Sequence, residues 1–246
     1  MKCENKMFDD FYTAFLEASD GLPESFRTEE AAKRLFTHLC ELSEKGKLFN
    51  LTAITDLSDA LNKHVVDSLF TAAAVKELSP GTNASLIDVG SGGGFPAIPI
   101  AVACPAIDVT ALDSTAKKCE FISDTAALCG VSVKTVPERA EDAASHLRET
   151  FDFATARAVA RLNVLVELCA PFVKVGGYFL AMKGSAAEEE MLEAEAGTKK
   201  LGISFERAVK YVIPDGGERS ILIYKKTSPT PAAYPRRFAQ IKKKPL

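Results

Sequence analysis

Histidine is scarce in this 246-residue chain. It occurs three times, and none of the three stands at ligand spacing from any of the six cysteines. Zinc sites draw four ligands from closely spaced Cys and His residues, so no metal site is expected. The cysteines (Cys3, Cys40, Cys104, Cys119, Cys129, Cys169) include no C-x-x-C pair. The N-terminus is acidic and amphipathic, unlike a secretory signal. The cysteines therefore read as reduced, mostly buried thiols of a cytoplasmic protein. Long apolar runs are missing too. The longest, Phe95 to Ile107, is cut by Pro96, Pro99 and Pro105 and cannot span a membrane. No Ser/His/Asp or Cys/His set points to nucleophilic catalysis. Acids are absent from the last stretch: Lys225 to Leu246 holds seven cations and no carboxylate, on a chain of net charge −3. A basic tail on an acidic body suits a polyanionic partner.

What is present centres on Leu86-Ile87-Asp88-Val89-Gly90-Ser91-Gly92-Gly93-Gly94-Phe95-Pro96. An apolar run ends in an acid and a glycine-rich turn. A helix-like segment follows, and a second apolar run ends at Asp113, 23 residues after Gly90. Glycines let a backbone turn tightly and approach a ligand where a Cβ would clash. An acid at about 20 residues' distance is placed to hydrogen-bond ribose hydroxyls. The dinucleotide pattern G-x-G-x-x-G needs a third glycine at position 95, which is Phe95. The glycines fall instead as D-x-G-x-G-x-G from Asp88. This is similar to the cofactor loop of class I S-adenosylmethionine (SAM) methyltransferases. The bland alternative, a glycine-rich turn with no ligand, has to ignore Asp113.

The rest of the chain sorts into three regions: 1–80, a helical N-terminal appendage; 81–227, the SAM-binding domain; and 228–246, the basic tail. Apolar spacing predicts helices over 7–18 and 28–45, with Thr28 as a cap. Ser58 is a second candidate cap, before a helix carrying His64 and Asp67. Pro80-Gly81 then breaks the chain. Strands are predicted at 85–89, 107–112, 131–136, 151–156 and 175–182. Helices are predicted at 96–103, 115–129, 140–148, 160–171 and 186–200. Such alternation implies a mostly parallel α/β sheet with helices on both faces. Two strands, 203–213 and 218–226, would close it as a hairpin around Pro214-Asp215-Gly216-Gly217. Glu188-Glu189-Glu190 reads as a solvated helix face.

With these pieces in place, the chain resembles the bacterial small-subunit ribosomal RNA guanine-N7 methyltransferases, the GidB or RsmG family. The matching words are Asn50-Leu51-Thr52-Ala53-Ile54, His64-Val65-Val66-Asp67-Ser68-Leu69, the loop Asp88 to Pro99 and Leu112-Asp113-Ser114 with Lys117-Lys118. Arg139-Ala140-Glu141, Arg157-Ala158-Val159-Ala160, Lys183-Gly184 and the tail Tyr234-Pro235-Arg236-Arg237 with Lys243-Lys244-Pro245-Leu246 match as well. The resemblance covers roughly residues 30 to 246. It departs at Ala97, Thr115 and Ala156, where the family usually has glycine, leucine and serine. It implies the class I methyltransferase (Rossmann-like) sheet with an antiparallel edge. It also implies methyl transfer from SAM to N7 of guanine-527 of 16S ribosomal RNA, with the RNA or the small ribosomal subunit as partner and the protein a monomer. By position, the family's cofactor contacts fall on Gly90, Phe95, Ala140, Glu141 and Arg157. The spacing argument adds Asp88, Gly92 and Asp113.

N7 of guanine carries a lone pair and no proton, so transfer needs positioning and no base. Arg157 and Lys183, expected at C-terminal strand ends, are the candidates to orient the base or its phosphates. Lys183 reads equally as a surface lysine. His64 and Asp67, one helical turn apart, form either a site wall or a structural pair. Lys183, Arg236, Arg237, Lys243 and Lys244 are the candidate RNA contacts; the alternative for the tail is a solvated end. Removing 228–246 is expected to leave SAM affinity unchanged. The competing functions are a SAM-dependent enzyme acting on another RNA, a protein or a small molecule, a non-enzymatic nucleotide- or RNA-binding module, and a dinucleotide oxidoreductase.

Overall fold

The computed structural model describes residues 2–49, 51–54, 56–79, 83–214 and 217–246. Asn50, the Pro80-Gly81 break and the Asp215-Gly216 turn lie outside the described residues. Helices α1 (Lys2–Ala18) and α2 (Glu29–Phe49) form where Phe8, Phe11, Tyr12, Phe15 and Leu35, Leu39, Leu42 recur at helical spacing. Thr28 caps α2, its hydroxyl accepting from the Ala31 N–H at 3.2 Å. Helix α3 (Leu57–Ala60) is capped by Asp56, not Ser58. Asp56 has extended backbone, and its carboxylate accepts from the Asp59 N–H at 2.9 Å, whereas Ser58 already lies within the helix. A π-helical turn (Leu61–Val66) runs on into α4 (Asp67–Leu78).

Seven strands follow: β1 (Ala84–Val89), β2 (Ile107–Leu112), β3 (Val133–Val136), β4 (Phe151–Arg157), β5 (Val173–Lys183), β6 (Ile203–Val212) and β7 (Glu218–Lys226). Their order is β3-β2-β1-β4-β5-β7-β6, with β7 antiparallel between β5 and β6. Helices α5 (Ala97–Ala103), α6 (Ala116–Leu128), α7 (Ala140–Ala143), α8 (Leu162–Cys169) and α9 (Ala187–Leu201) connect them, and α10 (Phe238–Lys243) follows β7. The predicted strand over 131–136 starts later. Val131 is taken up by the end of α6, its N–H bonding the Ala126 carbonyl. The predicted helix over 140–148 is four residues long. After Ala143 the chain tightens through Ser145 N–H to the Asp142 carbonyl and His146 N–H to the Ala143 carbonyl.

The order of strands reverses at β1, which pairs parallel with β2 on one side and β4 on the other. Loops leaving β1 and β4 diverge there and open a crevice at the C-terminal strand ends. Each sheet face carries its own core. On one face, Phe11, Phe15 and Leu39 pack in a single cluster with Leu86, Ile98 and Val109. The N-terminal helical region thus packs onto the sheet and shares its core. The other face gathers Ile87, Leu165, Phe172 and Phe179. Ile241 of α10 is buried in that second core. The expected basic tail therefore folds back onto the protein.

Candidate active site

The register of β1 and β2 sets Val89 beside Leu112, so the glycine loop and Asp113 emerge side by side. Gly90 has φ +80° and donates its N–H to the Leu112 carbonyl at 2.7 Å. A Cβ at Gly90 would lie 2.5 Å from Val159 Cγ2. Gly92 has φ +56°, but a Cβ there would meet no atom within 4 Å. Backbone conformation, not crowding by the protein, therefore selects glycine at 92. Asp113 accepts from the Gly92 N–H at 3.1 Å and from the Thr115 N–H at 2.9 Å. Asp88 departs from its expected role. Its side chain is wholly buried beneath the loop, where Oδ1 accepts from the Thr155 hydroxyl at 3.3 Å. Burial lifts its pKa to about 6. It braces β1 against β4 and does not reach the cleft.

Arg157, at the end of β4, is held from one side. Its Nη1 donates to the Lys63 carbonyl at 2.7 Å and to His64 Nδ1 at 3.1 Å, and lies 3.5 Å from Asp67 Oδ2. Its guanidinium stands 5.4 Å from the centre of the Phe95 ring. Phe95 is also stacked on His38 at 4.2 Å and lies 4.8 Å from His64. Since Arg157 donates to Nδ1, the His64 ring proton sits on Nε2, 2.9 Å from the Thr52 hydroxyl. Burial and the Arg157 charge push the His64 pKa down to about 4. Burial does the same to His38, whose Nε2 donates to the Gly93 carbonyl at 2.7 Å. Asp67 accepts from the Tyr211 hydroxyl at 2.6 Å, and Arg219 lies 4.0 Å away. The His64–Asp67 pair is a bracket for Arg157.

Lys183, at the end of β5, is almost fully buried. Its ammonium donates to the Ala160 carbonyl at 2.8 Å and pairs with Glu190 at 2.8 Å. The acidic run of α9 is more than a solvated face. Glu189 and Glu193 hold Arg161 at 2.7 and 2.8 Å, and Glu190 also accepts the Leu162 N–H. These groups surround a cleft of about 910 Å³ lined by Gly90, Gly92, Phe95, Asp113, Arg157 and Lys183, among others. A second cavity of about 130 Å³ adjoins it and holds Ala140 and Glu141. Among the described residues, no group of three or more His, Cys, Asp and Glu could hold a metal ion. No described helix is long and apolar enough to cross a membrane.

The tail cations divide. Arg236 is turned inward: its guanidinium makes a two-pronged contact with the fully buried Glu167, at 2.5 and 2.8 Å. A buried carboxylate needs a cation more than solvent does, so Arg236 is not an open RNA contact. Lys226 is also buried, donating to the Ala170 carbonyl at 2.9 Å, and burial lowers its pKa to about 8. Arg237, Lys243 and Lys244 remain exposed. Sequence reasoning missed Lys63, Tyr211 and Arg219. The signal for Arg219 was available: β7 runs antiparallel, so its first residues reach the edge where the parallel strands end.

The residues present fit SAM. Asp113 faces the cleft with two backbone N–H partners and no cation, the loop offers a side-chain-free wall at Gly92, and aromatic and cationic groups converge beyond it. The strand order, the glycine loop after β1 and the acid ending β2 define a class I SAM-dependent methyltransferase. A similar fold occurs in the Bacillus cereus O-methyltransferase solved with S-adenosylhomocysteine (TM-score 0.55, 19% identity, 77% of this chain and 91% of that one). A Streptococcus thermophilus rRNA methylase also shares it (TM-score 0.50, 15% identity, 65% and 95%).

Residues 31–220 match the family model GidB, rRNA small subunit methyltransferase G. The chain belongs to that family. It is 41% identical to the ribosomal RNA small subunit methyltransferase G of Leuconostoc citreum, over 89% of this chain and 92% of that protein. With the namesake from Caldicellulosiruptor bescii it is 44% identical, over 82% and 87%. With that of Streptococcus pneumoniae serotype 19F it is 40% identical, over 94% and 97%.

Proposed function

We propose that this methyltransferase transfers the SAM methyl group to N7 of guanine-527 of 16S ribosomal RNA. When bound, SAM supplies a methyl carbon on a positively charged sulfur. The observation that carries the reading is that, among the described residues, His64, Asp67 and Lys183, which line the cleft around Arg157, are each already engaged by a protein partner. His64 is neutral with its lone pair turned to Arg157, and Lys183 is paired to Glu190. Asp67 is held by Tyr211 and Arg157. Such a site suits an acceptor that brings its own lone pair and loses no proton, as guanine N7 does. The protein's contribution is then orientation, which accounts for about 7–11 kcal/mol of a barrier in favourable cases. Arg157, Lys118 and Arg219 line the cleft and favour a phosphate-bearing substrate.

The test is to map N7-methylguanine in small-subunit RNA from a strain with and without this chain. Loss at position 527 alone is expected. Loss at another RNA position, or methylation of small molecules with none of RNA, would replace the reading by a different acceptor. The rate should also be flat across pH 7–9, because no group has to give up a proton.

A further inference from the structure

We propose that Phe238, from α10 in the C-terminal segment, forms the outer wall of the subsite for the adenine ring of SAM. The smaller cavity shares Gly90, Asp113, Ser114 and Val159 with the main cleft. A ribose held by Asp113 at that shared wall would leave one cavity for the base and the other for the methionine arm. The main cleft carries the polar groups at Lys63, His64 and Arg157 that the amino-acid arm and the acceptor require. The smaller cavity sets apolar Val89, Leu112, Ala140, Leu168 and Phe238 beside the polar Glu138, Arg139 and Glu141, a mixed wall that offers a flat heteroaromatic ring both apolar contact and hydrogen-bond partners. Glu141, an acceptor in that wall, is itself tied to the tail, taking the Phe238 N–H at 3.3 Å.

The wall is built to stay. Ile241 is buried, Arg236 is clamped on Glu167 two residues before Phe238, and Leu246 abuts Gly197, where a Cβ would come within 3.0 Å of it. These anchors set an aromatic ring over the cavity from a segment whose charge pointed to RNA. On this proposal, removing 228–246 weakens SAM binding, against the expectation drawn from the sequence that it leaves SAM affinity unchanged.

The experiment is calorimetric titration of the full-length protein with S-adenosylhomocysteine and with 5′-methylthioadenosine, which has the base and ribose but no amino acid. Phe238→Ala should raise Kd at least tenfold for both ligands by the same factor. Replacing Arg237, Lys242, Lys243 and Lys244 by Ala should leave both Kd values unchanged. An unchanged Kd in folded Phe238→Ala overturns the proposal, as does a loss seen only with S-adenosylhomocysteine. Should Phe238→Ala unfold, Phe238→Leu keeps the apolar contact with the core and removes the ring; it must still weaken methylthioadenosine binding. In the wild type, S-adenosylhomocysteine should slow amide hydrogen exchange across residues 236–244, and unchanged exchange there overturns the proposal as well.

Discussion

Asp113 and Glu167 are both carboxylates shielded from solvent, and they are satisfied in opposite ways. Asp113, at the end of β2, accepts two neutral backbone N–H groups and meets no cation. Glu167, inside α8, receives the Arg236 guanidinium and the Arg236 N–H. The first arrangement leaves a charged acceptor facing a cleft, ready for hydroxyl donors. The second neutralises the charge and fastens two segments together. In this pair, the acid that meets only amides is left open to the cleft, and the acid that meets a cation ties α8 to the C-terminal segment.

The largest effect that tests this contrast is Arg236→Ala. It strands the Glu167 charge in an apolar core, and unfolding in urea should show a loss of about 3 kcal/mol. Stability equal to wild type would mean that the clamp holds nothing. Next comes Asp113→Ala, expected to weaken SAM binding by roughly 1.5–3 kcal/mol in titration calorimetry while the urea midpoint moves little. A large stability loss with intact binding would exchange the two roles.

A smaller effect separates the loop from the clamp by pH. His38 and His64 titrate at about 4 in the folded protein, below the ordinary 6.5. The unfolded chain therefore binds more protons between those values, and stability from these groups grows as pH rises from about 4 to 6.5. Asp88, raised to about 6 from 3.8, acts in the opposite direction in nearly the same window. In His38→Gln the rise from pH 4 to 6.5 should shrink, as read by urea midpoints at stepped pH. An undiminished rise would place its origin elsewhere. The smallest effect is expected from Arg237, Lys243 and Lys244 replaced together by Ala. The salt slope of RNA binding should become shallower by about 2, at roughly 0.7 per cation, with the methylated position unchanged. An unchanged slope would make these cations a solvated surface.

The site at β1 and β2 was legible because its parts become neighbours by the simplest rule of the fold. Parallel strands in register bring the two strand ends together, so a glycine loop and an acid 23 residues on must meet. The tail was not, because a count of cations does not say where a guanidinium points. A clue did exist. Glu167 is the lone acid in Leu162–Cys169, a helix otherwise apolar but for Asn163, and an acid on such a helix calls for an internal partner. Lys226 was equally hidden: alternation along β7 gives its direction, while its burial depends on residues 149, 170 and 230. Asp88 shows the reverse error. Its motif position suggested a ligand, and the pairing of β1 with β4 turned it toward Thr155 instead.

The position of β7 also has a consequence in time. In the finished sheet β6 has β7 as its one neighbour, while β5, although it precedes β6 in the chain, is bonded to β7. Until β7 exists, β6 has no strand to join. The ladder from Ile203↔Lys226 to Val212↔Glu218 closes over a few residues of chain, whereas joining Ser220 of β7 to Lys183 of β5 closes a far longer loop. Loop-closure entropy therefore favours pairing of β6 with β7 ahead of their joining the sheet edge along Tyr178–Lys183. That docking brings Arg219 to the cleft and sets the Tyr211 hydroxyl on Asp67 in its wall.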